Sequence, residues 1–367
     1  MSAKNHAKHS RANAGRRRFL AGAGGAMAAS AISGPLILTA GKARAAGKLV
    51  FSTYGGSYAD ALNDVYFKPY TAETGVEIIV TAPTDLAKLK AQVSTKSVEA
   101  DIIEYLPTEI LTASRENLLE PIDYAIVQPP ELLYPDAKRP NSISVLTYTI
   151  GIAYDKARSA EGKYPKTWAE FWDVKKFPGK RGLRSRPNDT LEAALLADGV
   201  DPKKLYPLDV ERAFKKLDEI KPHIAKWIDT ASQTVSLVQQ KELDFSNTYS
   251  GRVYADNLAG GTLGYPPDQL MIALNSFSVP KGAANKTEAM KLLNSMISKP
   301  DRQAKFFEKI AYGPTTKKGY DACDPKLRAA WLPDMSNPKH VIVNSDWWGE
   351  PGRFDQLTAR FKQWMIT

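Results

Sequence analysis

One cysteine and four histidines in 367 residues leave little for thiol or metal chemistry. A lone Cys323 excludes an intrachain disulfide and any multi-cysteine metal site, and reads as a small packed residue. No GxSxG elbow and no GxxxxGK[ST] phosphate loop occurs. His223 and His340, the only histidines beyond residue 45, have no metal-ligand spacing. His223 follows Lys221-Pro222 at an expected helix end, where solvation or capping is its ordinary role. An enzyme would have to be built from carboxylates or tyrosines alone, and no catalytic residue, cofactor or metal site is expected.

Acidic residues are absent from residues 1–45, which hold eight of the 50 basic side chains. Residues 46–367 carry 42 basic against 40 acidic side chains, so the formal +10 belongs to the N-terminus. Interspersed signs give no basic stripe, which argues against a nucleic-acid partner. Long apolar runs are also missing, apart from the uncharged stretch Phe19 to Leu38. Gly22, Gly24, Gly25, Ser30, Ser33, Gly34 and Pro35 dilute that stretch below a membrane anchor. A basic start, this stretch and Ala43-Arg44-Ala45 have the order of a secretory signal, and Arg16-Arg17-Arg18-Phe19-Leu20 resembles the twin-arginine export pattern. Residues 1–45 are therefore expected to be a twin-arginine-type signal peptide cut at Ala45 or Ala46. The mature chain is expected to be soluble, with no stable membrane insertion.

The remainder, with 43% hydrophobic and 25% charged residues overall, has a globular composition and length enough for two lobes. From Lys48 short apolar runs alternate with amphipathic stretches, the pattern of α/β units around a mostly parallel sheet. Strands are expected at 49–53, 76–81 and 101–105, with helices at 57–70 and 85–96. A proline-rich loop, 121–142, precedes a β-rich run, 142–154. Helices at 190–198, 209–221 and 231–241 and strands near 181–185 and 243–247 form a second set, and apolar runs recur at 270–274 and 277–280.

Ligands of open α/β sheets lie beyond the carboxyl ends of the strands, so polar and aromatic residues there are the candidate site. Tyr54-Gly55-Gly56-Ser57-Tyr58 follows the first strand. Its glycines let a ligand approach the backbone and its tyrosines flank that approach, although Ser57 and Asp60 also fit a plain helix cap. Glu104-Tyr105 ends the third strand, where a carboxylate could pair with an ammonium and a tyrosine could stack on a cation. Arg184 and Arg186 could serve an anionic ligand, while Asp189 and Glu192 have capping-box spacing. Tyr249 to Tyr254 opens another helix. Paired tyrosines can ligate ferric iron, but this separation suits it poorly.

The Tyr-Gly-Gly-Ser-Tyr turn, PYTAETGVEI (69–78), ENLLEPID (116–123), PKTWAEFWDVKKFPGKRGLR (165–184), TLEAALLADGV (190–200), Ser250-Gly251-Arg252 and VPKGAANKTEAMKLL (279–293) resemble periplasmic solute-binding proteins of ABC importers, in the spermidine/putrescine-binding-like branch. The resemblance implies a type II periplasmic binding protein, α/β, with two lobes joined by two crossover hinge segments near 142–150 and 262–275. Lobe 1 would comprise 46–146 and 270–318, and lobe 2 would comprise 147–269 and 319–367. It implies a non-enzymatic monomer that captures a small, cationic, polyamine-like solute and delivers it to ABC importer permease subunits. Carried over by position, Tyr54, Gly56, Ser57, Tyr58, Glu104 and Tyr105 would bind from lobe 1, Glu192, Tyr249 and Arg252 from lobe 2, with Tyr148 near a hinge. Asn275 stands where relatives carry an acidic residue, removing a cation partner. An amino acid, an anion or ferric iron therefore remain alternative solutes, and an exported enzyme using the same cleft remains an alternative function.

Overall fold

The computed structural model describes residues 47–367. The expected signal peptide lies outside the described residues. β1 (Lys48–Ser52), β2 (Glu77–Thr81) and β3 (Ile102–Tyr105) are parallel neighbours. Helices follow each of the first two, as strand-helix-strand units require. The helix expected from Ser57 runs on to Thr74, with a π turn over Asn63–Phe67. Pro69 follows that turn and has no N–H to donate back along the helix, which accounts for the local widening.

β4 (Ser142–Asp155) is followed by β5 (Arg181–Arg184), β6 (Ile224–Ile228), β7 (Phe245–Tyr249) and β8 (Met271–Ser278). The sheet order is β2-β1-β3-β8-β4-β7-β5-β6. Each outer group is parallel within itself, and the two groups meet through antiparallel β8 and β4. The expected apolar runs at 270–274 and 277–280 are one strand. β6 was not expected, because Lys226 interrupts its apolar pattern.

Two cores flank the central pair. One joins Phe51, Phe67, Ile102, Met290 and Phe306, and the other joins Trp168, Phe171, Leu191, Phe214, Phe245 and Phe361. β4 gives Val145 to the first and Ile150 to the second, and β8 gives Phe277 to the first and Met271 to the second. The chain thus forms two α/β lobes around separate cores, joined by strands that serve both. Phe277 is fully buried, its ring 5.5 Å from that of Phe51. Phe277→Ala is expected to cost about 3–5 kcal/mol in urea unfolding, the usual range for a buried aromatic truncated to alanine. A loss below about 1 kcal/mol would show that the core closes over the gap and that this contact is not what holds it.

Two local readings are corrected. Ser57 is not a cap: Gly56 precedes the helix at φ +71°, Ser57 is its first residue, and no side chain caps it. A glycine suits that positive φ without strain. Asp189 does occupy the position before the next helix, Thr190–Ala197, yet at φ +72° its carboxylate makes no capping bond. The spacing of a capping box presumes an extended backbone at its first residue, which Asp189 does not have. Among the described residues, no helix is long and apolar enough to cross a membrane. Nor, among them, is any group of three or more His, Cys, Asp or Glu placed to hold a metal.

Candidate functional site

Glu104 ends its strand with a side chain 1% exposed. Its carboxylate accepts from the Thr53 hydroxyl, from Tyr58 Oη at 2.6 Å and from Asn275 Nδ2 at 2.9 Å. Asn275 reaches it across the antiparallel β3–β8 pair, where Glu104 lies opposite Phe277 and Asn275 stands two residues along the same face. Burial raises the Glu104 pKa to about 7 against the lowering effect of Thr53 and Tyr58. The group is a buried carboxyl poised between neutral and charged, at a position where an approaching ammonium would favour the charged form.

The opposite pole is built on β5 and β7. Arg184, the last residue of β5, is 6% exposed, and its Nε and Nη1 have no hydrogen-bond partner. Burial lowers its pKa, with Tyr249 and Asp189 acting against that. Arg186 differs: it donates to Asp189 and, at 2.7 Å, to Tyr249 Oη, which itself donates to Asp189 at 3.1 Å. Burial acts to lower Arg186, but the Asp189 carboxylate and Tyr249 outweigh it and hold its pKa raised. Unpaired donors on a buried cation are costly, and an anion is the partner that satisfies them.

A ladder of tyrosine rings connects the poles. Tyr58, whose hydroxyl meets Glu104, lies 5.7 Å from Tyr312. Tyr312 lies 5.8 Å from Tyr148, and Tyr148 lies 5.9 Å from Tyr249, whose hydroxyl meets Arg186. Burial pushes the Tyr312 hydroxyl up to about 12, so the ladder is neutral and offers ring faces to an alkyl chain. Tyr54, 39% exposed, lies within electrostatic reach of both Glu104 and Arg186. Gly56, Ser57, Tyr58 and Tyr312 line a recess of about 570 Å³ together with Gln239, Arg252 and Asp256. Gly251 is required here, since a Cβ would sit 2.5 Å from the Tyr312 ring and 2.8 Å from the Ile310 carbonyl.

Nine of the eleven expected site residues are thus at the poles, the ladder or the recess. Two are turned away. Tyr105 packs among Leu89, Ile103, Ile110 and Leu119, because successive strand residues face opposite sides and Glu104 takes the other. Glu192 is buried under Trp348 and Tyr206, accepting from Trp348 Nε1 at 2.5 Å and Tyr206 Oη at 2.7 Å. Burial raises its pKa to about 7, followed by repulsion from Asp189. Tyr312 and Thr53 were missed. Tyr312 has no local motif and meets Tyr148 only through the fold. Thr53 was legible as a polar end to an apolar strand. Cys323 is buried, with its thiol pushed up to about 12 by burial. His340 accepts a bond from the Leu270 backbone N–H at 3.2 Å.

Residues 65–332 match the family model of bacterial extracellular solute-binding proteins. A γ-aminobutyric acid-binding protein of Pseudomonas aeruginosa is 33% identical over 326 residues, covering 86% of this chain and 90% of its own. The spermidine/putrescine-binding periplasmic protein of Escherichia coli is 23% identical, covering 87% of this chain and 96% of its own. Among solved structures, an ABC transporter substrate-binding protein from Bradyrhizobium japonicum is 32% identical with TM-score 0.80, covering 87% of this chain and 99% of its own. A GABA receptor structure is 32% identical with TM-score 0.78, covering 87% and 98%. With family and fold in agreement, this chain belongs to the bacterial extracellular solute-binding proteins and is the substrate-binding component of an ABC transporter.

Proposed function

We propose that the protein works in the periplasm, takes a small zwitterion with its ammonium and carboxylate at opposite ends of a short alkyl chain, and passes it unchanged to the importer's permease. The observation that carries this reading is the unpartnered, buried Arg184 across the tyrosine ladder from the buried Glu104. One carboxylate pole and one arginine pole suit a zwitterion better than a polyamine, which has no anionic end to satisfy Arg184. An ω-amino acid such as 4-aminobutyrate fits the arrangement, and it is the solute named for relatives about one third identical. On this reading the leader directs export along the twin-arginine route and is then removed, and the mature chain acts as a monomer without catalysis.

The test is a thermal-shift and calorimetric comparison of 4-aminobutyrate, butyrate, putrescine and spermidine. The expected result is stabilisation by 4-aminobutyrate of about 2.7 kcal/mol when it is present at about 100 times its Kd, with butyrate weaker. Tighter binding of putrescine or spermidine than of any amino acid would sink the zwitterion reading. Conversion of a bound solute, followed by NMR, would point to the enzyme instead.

A further inference from the structure

Two arginines lie at one strand-to-helix turn, and one of them, Arg186, carries an internal counter-ion in Asp189. Arg186 donates from Nη2 to Asp189 and Tyr249 with its Nε left unpartnered, whereas Arg184 has both Nε and Nη1 unpartnered. Asp189 is buried, sits at φ +72° and ψ −36°, and caps nothing. A non-glycine residue rarely holds such a backbone, and strained residues of this kind gather at functional sites. Its carboxylate lies beside Arg186.

We propose that Asp189 is a charge filter: a built-in counter-anion that cancels Arg186, so that the arginine pole accepts a singly charged carboxylate at Arg184 and disfavours a doubly charged anion. The proposal rests on the zwitterion reading above. Asp189 and Arg186 form a neutral pair, leaving Arg184 as the one uncompensated cation of this turn. Removing the Asp189 charge would leave two cations facing the cargo, a pole suited to a dianion.

The test uses calorimetry at about pH 8.5 with two probes of equal chain length. One is 4-aminobutyrate. The other is 3-aminopropylphosphonate, whose anionic end has three oxygens and a second ionisation near neutral pH. Asp189→Asn is expected to shift the affinity ratio toward the phosphonate by more than tenfold. Arg186→Gln, which leaves Asp189 opposed to Arg184 alone, is expected to weaken 4-aminobutyrate by more than tenfold. The double variant Arg186→Gln/Asp189→Asn restores the charge balance and is expected to recover most of that loss, which a purely structural role for the pair would not produce.

The filter is overturned if wild type binds 4-aminobutyrate while the Asp189→Asn ratio stays within threefold of wild type. It is also overturned if the double variant binds no better than Arg186→Gln. Should Asp189→Asn fail to fold, the comparison of Arg186→Gln with the double variant decides. If wild type binds neither probe, the zwitterion reading itself has failed, and the filter falls with it.

Discussion

Replacing Arg184 with methionine is expected to weaken binding of a carboxylate-bearing solute by on the order of a hundredfold while raising the stability of the unliganded protein. The two signs share one cause: the buried guanidinium has free Nε and Nη1 donors in the absence of solute. An unpaired buried donor costs about 1–3 kcal/mol, more for a charged group, and methionine removes that cost while retaining an apolar stem of similar length. In the complex the same donors meet the solute's carboxylate, and truncating one partner of a buried, hydrogen-bonded ion pair costs about 2–5 kcal/mol. Calorimetry measures the affinity and a melting curve without ligand measures the stability. A purely structural role for Arg184 predicts a fall in stability alone, so a lower unliganded melting temperature with unchanged affinity would remove it from the site.

Glu104→Gln is expected to weaken an ammonium-bearing solute by more than tenfold and to abolish a pH dependence that wild type shows. Burial holds the Glu104 carboxyl at about 7, with Thr53, Tyr58 and the Tyr54 backbone acting to lower it. Below that pH the group is increasingly neutral and offers an ammonium only a dipole. Affinity of wild type should therefore fall about tenfold from pH 8 to pH 6, while the variant stays flat. Stability of the empty protein runs the other way. A carboxyl whose folded pKa lies above its unfolded value favours the native state while protonated. That advantage is present below the usual carboxylate range near 4.5, is lost between 4.5 and about 7, and is absent above. The ionisation penalty at pH 8 is on the order of 3 kcal/mol, so Glu104→Gln should be the more stable protein there. Glu192, buried and also raised to about 7, contributes in the same window, which makes the comparison between wild type and variant the measurement to use. An unchanged affinity at pH 8 would show that Glu104 only positions Tyr58.

Much of the fold was legible because its signals are local. Residues 48–105 alternate strand and helix with the expected periodicity, and the turn after β1 needs its glycine at φ +71°. Tyr58, Glu104 and Tyr249 were found because the ends of parallel strands are where a cleft opens. Tyr105 was drawn in by adjacency to Glu104, although adjacency in a strand means opposite faces. Asp189 was read as a cap because residue spacing carries no dihedral angle. The structure instead sets it against Arg186 and Tyr249. The anionic reading of Arg184 and Arg186 treated them alike, whereas one is spent on an internal partner and the other is not.

Composition, charge distribution and the order of apolar runs determined by themselves that this is an α/β protein with polar and aromatic residues at its strand ends. Those properties depend on neighbours a few residues apart. Which charges remain free was decided only by tertiary structure: Glu104 meets Asn275 from 171 positions away, and the Tyr148 ring meets that of Tyr312 from the far side of a comparable stretch of chain. A hydrogen bond or a lone cation is a property of packing, and the same arginine reads identically in sequence whether its partner is an aspartate of its own turn or an incoming solute.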